Sequence, residues 1–95
     1  MYDEAILSYE KALAINPKEP PLYYMMGIIY DENLDQPEKA IGCYKKYLEL
    51  IPQDALDRGK IKLWLENCQK RIDEKNNSEK DKWNVIRLAS YRTNN

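Results

Sequence analysis

Two stretches of the chain, residues 1–17 and 36–52, carry the same residue types at the same spacing. They share identities separated by 35 positions: Ala5, Ile6, Tyr9, Lys11, Leu13 and Pro17 recur as Ala40, Ile41, Tyr44, Lys46, Leu48 and Pro52. A fixed period of this size is typical of stacked copies of one supersecondary unit, in which each copy contacts mainly its neighbours. The period therefore predicts a stack of such units instead of a single globular core, and it indicates a function located on a surface instead of in a catalytic pocket.

The apolar residues of the first stretch recur at steps of three and four, and those of the second do the same. They are Tyr2, Ala5, Ile6, Tyr9, Ala12 and Leu13, followed by Ala40, Ile41, Tyr44, Tyr47 and Leu48. This spacing places a continuous apolar stripe on one face of an α-helix. Each stretch ends at a proline, which disfavours helix in the residue before it. We therefore predict helices over residues 2–15 and 37–50.

A helix of another kind separates the two copies. Pro20 and Pro21 suit its first turn, where backbone donors have no helical partner. We predict it over residues 20–31. The loop that follows leads to Asp35, and Glu38 stands three residues later, which is the pattern of a capping box at the start of the next helix.

The middle helix and the second copy together form an ordered motif. Its residues are Tyr23-x-x-Met26-Gly27-x-x-Tyr30, then Ala40-x-x-x-Tyr44, then Pro52. This motif resembles the tetratricopeptide repeat (TPR), whose usual pattern is W-x-x-L-G-x-x-Y, A-x-x-x-F and P. The resemblance implies an all-α fold, a helix-turn-helix stack that is part of an α-solenoid. It also implies packing roles in the first copy for Ala5, Tyr9, Ala12 and Pro17.

The period is one residue longer than the usual TPR length of about 34 residues, and we expect the additional residue in the loop 31–36.

Beyond Pro52, residues 54–75 show a further helical stripe: Ile61, Trp64, Leu65, Cys68 and Ile72. Lys62 falls where Gly27 stood, and lysine does not suit a close helix crossing, so we predict that this helix caps the stack. The predicted helical domain is residues 1–75. Because residues 73–82 have no apolar residue, we predict a linker and a tail over 76–95, with a short helix or strand in the tail.

The composition argues against catalysis. Histidine is absent, which removes the commonest general base and the commonest zinc ligand. The two cysteines and three glycines are scattered, so they form neither a zinc motif nor a phosphate-binding loop. The carboxylates from Asp31 to Asp35 lack the central glycine of a calcium loop. We therefore expect no enzyme activity, no cofactor and no metal.

The charge balance and hydropathy restrict the class of partner. A net charge of −1 leaves no electrostatic footprint for nucleic acid. No run is long and apolar enough to span a membrane, and no N-terminal signal sequence is visible. We expect a cytoplasmic protein that binds a protein or peptide, not nucleic acid or a membrane. Cys43 and Cys68 are expected to be buried, reduced thiols.

In TPR proteins the first helices of successive repeats line a concave groove that takes a peptide or a helix. Helical geometry and the resemblance assign the following residues to that groove: Tyr24, Ile28, Asp31, Arg58, Lys60 and Leu63. This stripe lacks the lysine and asparagine with which some TPR domains clamp a chaperone's C-terminal carboxylate, and it suits a hydrophobic peptide or an amphipathic helix. Two alternatives stay open. In one, Tyr24 and Ile28 pack against the preceding helix; in the other, Trp83 and Ile86 of the tail occupy the groove.

Residues 1–17 match only the second helix of a repeat, so the usual partner of this helix does not precede it. Either the chain is a fragment of a longer protein, or another surface covers residues 2–15. A second copy in a homodimer and the C-terminal tail are the two candidates for that surface. The alternative functions are therefore a self-associating structural element and an accessory domain of an enzyme whose catalytic part lies upstream. RNA binding through Trp83, Arg87 and Arg92 has a weaker basis, because the charge density is low.

Overall fold

Four α-helices and one π-helical turn follow one another along the chain. In a computed structural model that describes the backbone of residues 1–93 and the side chains of residues 1–76, helix α1 spans Tyr2–Ile15, α2 Pro20–Ile28, the π-turn Ile29–Asn33, α3 Pro37–Leu50 and α4 Arg58–Thr93. Residues 1–93 contain no strand. The prediction of an all-α fold is confirmed.

Helices α2 and α3 form the central pair, and a glycine sets their separation. A Cβ atom built on Gly27 would lie 2.5 Å from Cε1 and 2.7 Å from Cδ1 of the Tyr44 ring. Ala40, the other small residue of the motif, is completely buried. Only a residue without a side chain permits this approach of the α2 backbone to the ring. The close crossing is therefore the physical reason for the glycine in the motif.

The core lies along α3, which contacts both α2 and α4. Its buried residues are Ile6, Met26, Ile29, Tyr30, Ala40, Cys43, Tyr44, Ile61 and Cys68. Both cysteines are free and buried, as predicted. Helix α1 adds the least to this core, because Ile6 is its one buried residue while Tyr2 and Leu7 are exposed.

The π-turn lies where the repeat is one residue longer than usual. Its wider hydrogen bonding includes a bond from the Leu34 amide to the Ile29 carbonyl at 2.9 Å, and the Gln36 amide reaches the Tyr30 carbonyl at 2.8 Å. A π-turn holds one more residue than an α-turn, and such turns occur as single-turn insertions in α-helices. The sequence predicts the additional residue in the loop 31–36, and the helical backbone contains part of that segment because it continues to Asn33.

The predicted capping box at the start of α3 is wrong. The N-cap is Gln36 with Pro37 in the first helical turn, and no side chain caps the helix. Asp35 has a φ of 50°, in the left-handed region, which turns the chain between the π-turn and α3. Its carboxylate binds Arg71 of α4 instead of the amides of α3.

Helix α4 differs in extent from the prediction. The segment before it turns twice, with hydrogen bonds from the Ala55 amide to the Pro52 carbonyl (3.1 Å) and from the Arg58 amide to the Ala55 carbonyl (3.3 Å). The helix therefore begins at Arg58 instead of residue 54. It then continues without a break to Thr93, so the predictions of an end at residue 75 and of a linker and separate tail over 76–95 are wrong.

The continuity of α4 has a simple cause in the sequence. After Gly59 there is neither glycine nor proline, and the polar stretch is rich in lysine and glutamate, which are strong helix formers. The unbroken helix provides no turn that would return the tail to the groove. The side chains of Trp83, Ile86, Arg87 and Arg92, on which the tail and RNA hypotheses rest, lie outside the described residues, as do Asn94 and Asn95 entirely.

Candidate partner-binding face

Helices α2 and α4 share one face of the molecule, which we call the inner face. Tyr24 of α2 and Trp64 of α4 bring their ring centroids within 5.8 Å, at an interplanar angle of 46°. Further along, Asp31 of the π-turn that follows α2 pairs with Arg71 of α4. Since both contacts run in the same chain order, α2 and α4 lie side by side in parallel, as the first helices of successive repeats do.

An aromatic cluster forms the upper part of the inner face. The Tyr24 ring lies 5.5 Å from the Tyr47 ring and 5.8 Å from that of Trp64, and Trp64 lies 5.9 Å from Tyr44. All three pairs are tilted, which is a favourable arrangement for aromatic rings. Tyr24 therefore packs against the rings of Tyr47 in α3 and Trp64 in α4.

Lys60 lies over this cluster at the solvent side. Its Nζ atom is 5.4 Å from the Tyr24 ring centroid and 5.0 Å from that of Trp64, and it donates a hydrogen bond to the Tyr24 hydroxyl at 3.3 Å. Each ring attracts the ammonium through its negative face. Lys60 is nevertheless exposed, so its charge remains available to an approaching molecule.

The tyrosine hydroxyls of α3 anchor the neighbouring segments. Tyr47 donates to the carboxylate of Asp57, and this bond, followed by burial, raises the pKa of Tyr47 to about 12. Tyr44 donates to Oδ2 of Asp31 at 3.0 Å. Burial and, after it, the bond to Asp31 raise the pKa of Tyr44. Both phenols therefore remain neutral donors at physiological pH.

An ion-pair network closes the lower end of the inner face. Arg71 donates from Nη1 to Oδ1 of Asp31, and from Nη2 to Oδ1 of Asp35 at 2.5 Å. The Asp31 carboxylate is thus held by α3 through Tyr44 and by α4 through Arg71. With 18% of its side chain exposed, Asp31 is a structural acid, and its position leaves little of it to contact a partner.

The predicted groove residues therefore divide into two groups. Arg58 donates hydrogen bonds to the carbonyls of Leu48, Ile51 and Pro52 at the end of α3, so Arg58 and Asp31 hold helices together. Tyr24 and Ile28 are half-buried, while Lys60 and Leu63 are exposed. Tyr24, Ile28, Lys60 and Leu63 therefore keep solvent exposure, and of these four the structure brings Tyr24 and Lys60 into contact.

Two residues of the inner face, Trp64 and Arg71, are not assigned to it by the sequence predictions. Trp64 was assigned only to the apolar stripe of α4, although it stands one helical turn after Lys60 and two of its ring contacts define the inner face. Arg71 gave no usable signal, since its partners Asp31 and Asp35 are distant in sequence. A lysine and a tryptophan at positions i and i+4 of one helix are neighbours on its surface, and that spacing could have indicated Trp64.

Among the residues that the structure describes, no group of three or more histidine, cysteine, aspartate or glutamate side chains is placed to hold a metal ion. No helix of the described part has the length and apolar character needed to cross a membrane.

Comparison with known proteins gives matches at the level of family and of relatives. Residues 8–42 match the tetratricopeptide repeat. The Photosystem I assembly protein Ycf3 of Prochlorococcus marinus strains MIT 9301, MIT 9215 and MIT 9312 is 36% identical over 78 residues in each case, covering 68% of this chain and 43% of the relative. The chain thus spans less than half the length of these relatives. No solved structure matches it significantly. The match over residues 8–42, together with the close helix crossing at Gly27, supports assigning this chain to the tetratricopeptide repeat family.

Proposed function

We propose that the chain is a protein-interaction module whose inner face binds a peptide or helix of a partner protein. The observation that carries this proposal is the solvent exposure of Tyr24 and Ile28 on α2 and of Lys60 and Leu63 on the parallel helix α4. Leu63 is 54% exposed, and it stands three residues after Lys60, on the same side of α4. A partner segment that places an apolar side chain on Leu63 and a polar or acidic group near Lys60 fits this surface.

The relatives support an assembly function within this class. The relative Ycf3 is named as a Photosystem I assembly protein. We extend the proposal accordingly: this module holds a protein subunit during construction of a larger complex. This chain matches 43% of the length of those relatives, so the identity of the complex is to be determined by experiment.

The test compares substitutions of two leucines of equal exposure. Leu63→Glu places a charge on the inner face, whereas Leu7→Glu places one on α1, where Leu7 is 52% exposed. Affinity capture from cells that make the protein is followed by mass spectrometry, with circular dichroism to verify that both variants fold. We expect a partner that binds the parent and Leu7→Glu and is lost from Leu63→Glu. Equal capture by both variants would contradict an inner-face site.

A second candidate function is self-association through residues 2–15. It is favoured by the sparse burial of α1, where Ile6 alone is buried and Tyr2 and Leu7 are exposed. In this case the mass measured by sedimentation rises with concentration, and Leu7→Glu reduces it while Leu63→Glu does not. A monomer at high concentration in the parent protein would exclude this function.

A further inference from the structure

A second apolar surface, which we call the outer groove, lies between α2 and α3 and shares no residue with the inner face. Its volume is about 400 Å³ and it is open to solvent. Tyr23 lines it from α2, and Met26 of α2 and Tyr30 of the π-turn, each 7% exposed, lie at its base. These residues follow the helical spacing of three and four, so they form one continuous apolar wall.

The opposite wall contains a glycine that the fold itself does not require. Gly42 and Cys43 line the groove from α3. A Cβ atom on Gly42 would meet nothing within 4 Å, in contrast to the crowded position of Gly27, and no glycine has a positive φ. A glycine inside a helix costs about 1 kcal/mol relative to alanine. The absence of a side chain at Gly42 keeps the groove open at its centre.

The charges around the groove indicate the chemistry of its occupant. Lys39 and Lys46 line it from α3, one turn before and one turn after Gly42. The Lys39 ammonium lies 5.5 Å from the Tyr30 ring centroid, and Lys46 pairs with Glu49 at 3.4 Å. That pair is exposed and contributes little stability, so both ammonium groups are available to carboxylates of a bound segment.

From these observations we infer that the outer groove is a second docking surface, which takes an amphipathic helix of a partner protein with carboxylates flanking its apolar stripe. The apolar stripe enters between Tyr23, Met26 and Gly42, and the carboxylates meet Lys39 and Lys46. This surface is independent of the inner face, so one module holds two protein segments at once.

The probe is a synthetic helical peptide of about 18 residues with leucines at positions i, i+3, i+4 and i+7 and glutamates beside them. A second peptide carries lysine in place of each glutamate. Binding is measured by fluorescence anisotropy, and the site is located by amide chemical shifts of the full chain. We expect the acidic peptide to bind and to shift the amides around Gly42.

Substitutions that preserve the helix separate specific docking from general adhesion. Gly42→Leu fills the groove and is expected to weaken binding about 10-fold or more, whereas Gly42→Ala leaves room and retains binding. Gly59→Leu, at a second glycine whose Cβ would meet nothing, is the matched control and also retains it. Lys39→Glu combined with Lys46→Glu is expected to reverse the preference toward the basic peptide.

Four results would overturn the inference. They are failure of the acidic peptide to bind, equal binding of both peptides, equal binding by Gly42→Leu and Gly42→Ala, and loss of binding through Leu63→Glu with chemical shifts on the inner face. Circular dichroism of each variant ensures that a lost signal reflects the groove and not unfolding.

Discussion

The Gly27→Ala and Gly42→Ala substitutions make the same chemical change in neighbouring helices, and we expect them to move stability in opposite directions. At Gly27 the added methyl group would lie 2.5 Å and 2.7 Å from two ring carbons of Tyr44, far inside the contact distance of about 3.5–4.0 Å between carbon atoms. The ring has no room to withdraw, because Tyr44 is 1% exposed and its hydroxyl is bonded to Asp31.

The expected magnitude follows from three contributions. Overpacking of a dense core costs about 1–3 kcal/mol, and displacing Tyr44 from its hydrogen bond to a charged carboxylate costs about 1.5–3 kcal/mol. Replacing glycine by alanine in a helix raises the unfolding free energy by about 1 kcal/mol. The Gly27→Ala variant should therefore lose about 1.5–5 kcal/mol of unfolding free energy, whereas Gly42→Ala, whose methyl group meets nothing within 4 Å, should gain about 1 kcal/mol.

Urea unfolding followed by far-ultraviolet circular dichroism measures both values. An unchanged slope with denaturant would show that the variants unfold to the same extent as the parent. For a domain of this size each kcal/mol corresponds to a shift of about 4–8 °C in Tm, so thermal unfolding provides a second measurement. If Gly27→Ala were as stable as Gly42→Ala, the close crossing of α2 and α3 would not be part of the fold.

Two further predictions concern charged and titrating groups. Arg71→Ala should destabilise the protein by about 1–3 kcal/mol in urea unfolding, because it leaves the largely buried Asp31 without its cation; an unchanged midpoint would show that the ion pair contributes no stability. The pKa of Cys43 and that of Cys68 are each raised from the ordinary value of 9.0 to about 11, chiefly by burial. The unfolded thiols therefore lose their protons first, so stability is fully present below pH 9 and falls as the pH rises to about 11. Thermal unfolding across this range should show the fall, and it should be smaller in a Cys43→Ala variant; an identical pH profile in that variant would contradict the assignment.

The parts of the fold that depend on short sequence spacing could be predicted, and those that depend on distant pairs could not. The contact of Gly27 with Tyr44 is anticipated by a motif, because both residues belong to one helix pair with a fixed geometry. The bond between Asp31 and Arg71 joins residues 40 positions apart, and no periodicity specifies it. For the same reason Asp35 was interpreted as a local cap, although its carboxylate serves a distant arginine.

The same distinction between short sequence spacing and distant contacts applies to the candidate site. Helical geometry places Tyr24, Lys60 and Leu63 on one surface, because positions along two parallel helices follow from the repeat period. Whether a residue on that surface is accessible depends on what its side chain already contacts. Arg58 satisfies carbonyl groups at the end of α3, and the sequence alone does not distinguish such an arginine from one that awaits a partner.

Two departures of this chain from the usual repeat pattern, the additional residue and Tyr44, meet at Asp31. The additional residue is accommodated by the π-turn Ile29–Asn33, and that turn carries Asp31 to a position where both carboxylate oxygens are used. One oxygen accepts from Tyr44, which stands where the usual pattern has phenylalanine, a residue with no hydroxyl to donate. The other accepts from Arg71 of α4. Without the tyrosine hydroxyl, Asp31 would be a largely buried acid that had lost one of its two partners. Through Tyr44 and Arg71, Asp31 therefore links the π-turn to α3 and to α4.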